Sequence, residues 1–169
     1  MGLALLAALL PSGAATAEAW TSIYSGSETV TGPGVDDPNP VELGVRFTVN
    51  KPGYVSAIRY YKTSGNTGVH VGSLWTSYGR RLAKVTFSSE TATGWQVARL
   101  AQPIALRPDR TYVASYHTDT GRYAAKVDAF ANGATIGNST IRATSGVRRY
   151  GAGGFPSTRK TAALSLIHI

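Results

Sequence analysis

Residues 41–49, VELGVRFTV, place an apolar side chain on every odd position and Glu, Gly, Arg and Thr on the even ones. Period-two alternation over nine residues is incompatible with a helix, whose apolar positions recur every three to four residues. It describes a strand with one buried and one solvated face. Lys51-Pro52-Gly53 ends it with a turn. From Trp20 onward the same texture continues. Thr, Ser, Gly, Val and Tyr dominate, and Gly or Pro interrupts at short intervals.

Further strands are expected at Tyr54–Lys62, Val69–Thr76, Leu82–Phe87, Trp95–Leu100 and Thr111–Thr118, with Arg122–Phe130 as the last. Pro103–Leu106 reads as a short edge piece, because proline is tolerated where no ladder hydrogen bond is needed. Ser77-Tyr78-Gly79 reads as a hairpin turn with Gly79 at positive φ. About eight antiparallel strands at this spacing predict an all-β chain, a β-sandwich of jelly-roll type. No internal repeat or linker suggests a second domain.

The 169 residues suffice for a hydrophobic core without cross-links. The absence of cysteine excludes disulfides, thiolate zinc sites and a cysteine nucleophile. Residues 1–19 are expected to be a signal peptide. Met1–Leu10 is an apolar run too short to span a membrane, followed by Pro11 and an A-x-A site at Ala17-Glu18-Ala19. The mature domain then covers 20–158, and the protein is expected to be secreted or at the cell surface. The net charge of +8 suggests a nucleic-acid partner at first sight. Yet residues 20–131 hold 12 basic and 8 acidic residues, with the remainder of the excess near the C-terminus. The basic residues are scattered, so no nucleic-acid partner and no membrane span are expected.

Several segments together resemble the bacterial domain of unknown function 4082 family. They are NPVELGVRF at 39–47, IRYYKTSGNTGVHVGSLWTSYGRRLA at 58–83, TFSSETATGWQ at 86–96, TYVASYH at 111–117 and YGAGGFPST at 150–158. The resemblance implies a secreted β-sandwich module that accompanies other domains of larger exported proteins, and it brings no catalytic residues. Residues 159–169 depart from the family pattern, which continues into an aromatic, acid-containing strand. The final LSLIHI reads like translated sequencing adapter, so a truncation or frame error near 159 is expected.

No G-x-S-x-G elbow accompanies the abundant serines, and no enzyme is expected. The acids Asp36, Asp37, Glu90, Asp109 and Asp119 read as turn or solvated residues. No cofactor is expected beyond one option, a structural calcium ion held by oxygen ligands from Asp36, Asp37 and Glu42. The loop lacks the spaced D-x-D-x-D-G pattern, and ordinary turn chemistry competes with that reading. His70 and His117 flank loops that a sandwich can bring to one end, and with Lys62, Asn66 and Asp119 they would line a polar pocket. Strand parity puts Tyr61 opposite Ile58 and Tyr60, and Trp95 opposite Ala98 and Leu100, so both rings are expected on the surface. Exposed rings offer flat apolar faces to sugars. The leading expectation is a non-catalytic module that binds an extracellular polysaccharide or cell-wall polymer. Tyr61, Trp75 and Trp95 would then be exposed on one face. The rival is a structural spacer or adhesion domain with no ligand of its own.

Overall fold

The computed structural model describes residues 21–24, 27, 29 and 34–161, and the backbone of Ile167 and His168. The expected signal peptide and Trp20 lie outside the described residues. Strands β1 (Val41–Val49), β2 (Gly53–Lys62), β3 (His70–Thr76), β4 (Arg81–Thr86), β5 (Gly94–Leu106) and β6 (Thr111–Thr118) follow the periodic segments closely. After them come β7 (Ile136–Gly137), β8 (Ile141–Tyr150), β9 (Thr158–Lys160) and β10 (Ile167–His168). Among the described residues no helix is long and apolar enough to cross a membrane.

The strands form two antiparallel sheets. A seven-stranded sheet has the order β4-β3-β6-β1-β8-β7, with β9 also on β8, and a three-stranded sheet has the order β10-β2-β5. Val41, Leu43, Val45 and Phe47 of β1, with Ala114 and Tyr116 of β6, bury one face of the large sheet. Ile58 and Tyr60 of β2, with Ala98 and Leu100 of β5, complete the same core from the small sheet. Pro103 sits inside β5 rather than beginning a separate piece, and this is tolerated because β5 is the free edge of its sheet. Gly79 has φ +88°, as the hairpin turn requires.

Three expectations need correction. β1 does not have one solvated face, since Glu42 and Gly44 are buried as well as the odd residues. It is the middle of the large sheet, and the loop that follows β8 covers its second face. Arg122–Phe130 is not a strand. Gly121 and Arg122 take φ of +60° and +52°, and the segment instead plugs the sandwich irregularly through buried Tyr123, Ala124 and Phe130. The missing strand is β8, which pairs with β1 and whose IRATSGVRRY sequence is too polar to advertise itself. In the region expected to be aberrant, the backbone of β9 pairs with β8 and that of β10 with β2.

Candidate functional site

Three places gather polar or aromatic side chains. The first lies at the sandwich end where β2 finishes and β3 begins. It unites Lys62, Asn66 and His70, as expected, and adds Glu90. Lys62 Nζ donates to Glu90 Oε2 at 2.6 Å, and His70 Nδ1 lies 2.9 Å from the same oxygen. Glu90 is therefore not a solvated turn acid. Its two nitrogen partners draw it over the sheet end.

His70 is fully buried, with Nε2 2.8 Å from Asn66 Oδ1. Burial lowers its pKa despite the opposing pull of Glu90, which favours the neutral ring. A neutral ring that donates to Glu90 through Nδ1 must accept at Nε2. A half-turn of the Asn66 amide meets that need. The amide nitrogen then donates to His70 and Thr118 Oγ1, and the oxygen accepts from the Tyr116 hydroxyl. In that orientation every polar group of the cluster has a partner. His117 is not part of it. Register places it beside Val71 on the opposite face of the large sheet.

The second place is that opposite face. Trp75 Nε1 donates to Ser115 Oγ at 2.8 Å, and Ser115 donates to Glu42 Oε1. The other Glu42 oxygen is 3.8 Å from His117 Nδ1, and His117 Nε2 is 2.9 Å from Asp119. Gly153 and Gly154 cover the pair. A Cβ on Gly153, at φ +80°, would stand 3.3 Å from both Glu42 Oε2 and His117 Nδ1. Only glycine combines that backbone with that approach. Phe155 then closes on the Trp75 ring at 5.8 Å. The Ser115 proton goes to the Glu42 carboxylate and not to histidine.

Burial pushes the Glu42 carboxyl above its usual 4.5, against the bonds from Ser115 and Gly154 and the electrostatic pull of His117 and Arg81. A raised carboxylate pKa means stability that is complete below 4.5 and declines as pH rises through the raised value. Glu42→Gln lacks this titration. Its unfolding free energy relative to the parent chain should therefore move in the variant's favour between pH 4 and pH 8 in urea titrations. An unchanged difference at the two pH values would count against a buried, titrating Glu42.

The expected cation ligands do not converge. Asp36 pairs with Arg122 at 2.9 Å, Asp37 accepts from the Tyr150 hydroxyl at 2.6 Å, and Glu42 is under the glycine loop. Among the described residues no group of three or more His, Cys, Asp or Glu is placed to hold a metal ion. Parity did place Tyr61 and Trp95 on one face, but that face is not open. Tyr61 is buried edge-on against Trp95 at 5.5 Å, and Trp95 is half-buried between Tyr24 and the Arg59 guanidinium. Trp75 is buried on the other sheet. The three rings therefore do not form an exposed platform.

The third place is the opposite end of the sandwich, and it is open. A cleft of about 800 Å³ is lined by Lys51, Pro52, Tyr54, Gln102, Pro103 and Thr140, among others. Tyr54, 75 % exposed, stands in its wall. Across the end segment of β5 a second cleft of about 430 Å³ runs beneath Tyr78, which is 92 % exposed in the β3–β4 turn. Sequence reading missed Tyr54 because it weighed aromatics by strand interior. Tyr54 is the first side chain after a Pro-Gly turn, where the ladder has only begun. The family model for "Domain of unknown function (DUF4082)" matches residues 27–163. The chain belongs to the DUF4082 family. No curated protein matches it. The match spans all three places, from Asp36 to the glycine loop of this DUF4082 domain.

Proposed function

We propose that this DUF4082 domain is a non-catalytic, exported module that binds an extracellular glycan or similar polymer at its open end. The exposed ring of Tyr54 beside the larger cleft carries this reading. Pro52, Pro103 and Leu106 supply an apolar wall, while Lys51, Gln102 and Thr140 offer donors and acceptors. Flat apolar surface with a few orienting polar groups is what a sugar ring requires.

Covering one face of Tyr54, on the order of 60 Å² at about 25 cal/mol per Å², gives roughly 1.5 kcal/mol, or about tenfold in Kd. In affinity electrophoresis of the full chain against a panel of polysaccharides, Tyr54→Ala should weaken retention by about that factor. Trp95→Ala, at the other end, should lower stability and leave retention alone. The rival reading, a spacer with no ligand of its own, draws support from the burial of Tyr61 and Trp75. Absence of retention on every polymer would favour it.

A further inference from the structure

The smaller cleft has a chemistry that the larger one lacks. Arg80, Arg107 and Arg110 all line it, and all three are exposed. None takes part in an ion pair with a carboxylate among the described residues, whose pairs involve Lys62, His70, His117 and Arg122. Asp109 lies between two of them in the β5–β6 turn at φ +58°, yet it pairs with neither. Three uncompensated guanidiniums in one cleft repel each other in a chain that is already at +8. An anionic ligand removes that cost. The rest of the lining is not that of a simple anion hole. Leu82, Ile104 and Tyr112 form apolar wall, and the Tyr78 ring stands free above it.

We infer that this cleft binds the carboxylated sugar units of an acidic polysaccharide, with Arg80, Arg107 and Arg110 taking the carboxylates and Tyr78 covering a ring face. The inference rests on the polymer-binding reading above and names its ligand class. A guanidinium presents a planar fork that matches a carboxylate in two parallel hydrogen bonds. The apolar wall and the ring suit the sugar that carries it. A single-stranded nucleic acid would also offer negative charge. Binding of that kind relies on successive aromatic platforms along a groove, whereas this cleft has one free ring, Tyr78, the Tyr112 ring being buried in its wall. The cleft's size, within the roughly 300–1,000 Å³ typical of ligand sites, also fits a local sugar contact.

The test is affinity electrophoresis of the full chain in gels containing polygalacturonate, alginate or hyaluronate. Methyl-esterified polygalacturonate and single-stranded DNA serve as comparisons. At least one acidic polysaccharide should retard the chain, and esterification should abolish the effect. Arg107→Ala with Arg110→Ala should weaken retention by roughly tenfold or more, and raised salt should weaken it further. Tyr78→Ala should cost roughly three- to tenfold. These side chains are exposed, so an unchanged melting temperature will confirm that the variants fold. Equal retardation by the esterified polymer, or indifference to the arginine substitutions, would overturn the inference. So would stronger retention by DNA than by the acidic glycans together with no response to Tyr78→Ala, which is plain polyanion adsorption. Retention by a neutral glycan alone, lost in Tyr54→Ala, would overturn this inference and leave the polymer-binding reading standing. Failure on every polymer would remove both.

Discussion

Tyr60→Ala should lower the unfolding free energy by about 3–5 kcal/mol, the range for deleting a large aromatic side chain from a packed core. Tyr60 is wholly buried on β2 and stacks on Tyr116 of β6, with ring centroids 4.3 Å apart and planes 18° from parallel. Phe87 meets it edge-on at 4.8 Å. The stack is a direct bond between the two sheets, so its loss opens a void at the centre that rigid strands cannot close. Burial, and secondarily the negative Glu90, push the phenol far above its ordinary value, so the ring stays neutral. Its hydroxyl faces the Glu90 carboxylate but makes no hydrogen bond of ordinary geometry among the described residues. Tyr60→Phe should therefore be nearly neutral, within about 0.5 kcal/mol. Chemical denaturation of the two variants checks both halves. A small loss in Tyr60→Ala would mean that the sheets are held together elsewhere.

Glu90→Ala is the second large effect, expected at about 2–4 kcal/mol. Removing this carboxylate leaves the buried His70 ring and the largely covered Lys62 ammonium facing each other without a shared anion. Breaking a buried charged contact on one side costs more than never building it. The substitution should also change the acid limb of stability. Burial places the His70 pKa below 6.5, so the unfolded chain takes up a proton first as pH falls. The group's contribution is complete above 6.5 and is lost as pH drops below it. Glu90 opposes that shift, so its removal should steepen the decline below pH 6.5. In a double-mutant cycle, His70→Ala and Glu90→Ala should be non-additive by about 0.5–3 kcal/mol. Additive losses would mean that the two side chains act separately.

The strands that could be read from sequence were those with apolar residues on one parity. β1 and β6 were legible to the residue because every second side chain points into the main core. β8 was hidden because its inward positions include Ala143 and Gly146, and its outward ones carry Arg142 and Arg149. Arg122–Phe130 misled for the opposite reason, since buried Tyr123, Ala124 and Phe130 supply core volume without ladder geometry. Of the candidate site, the meeting of Lys62, Asn66 and His70 was legible, because strand ends and their loops must share an end of a sandwich. Parity correctly put Tyr61 and Trp95 on the same side. It could not say that Tyr24 would reach Trp95, because that contact depends on a chain segment that carries no period. Glu42 looked like a loop-entry ligand. Only the arrival of Gly153 and Gly154 turned it into a buried carboxylate.

The position of β1 has a consequence for how the molecule is made. Val45 pairs on one side with Ala114 and on the other with Gly146. The first of the described strands to be synthesised is therefore the central one, and neither of its neighbours exists until most of the chain has followed. Chains dominated by such distant pairings fold slowly, on the order of milliseconds to seconds. Until β6 and then β8 emerge, an apolar strand with open edges must be kept from pairing with other chains. The placement of the most strand-like segment ahead of every other described strand makes its protection during synthesis a condition for reaching the native sandwich.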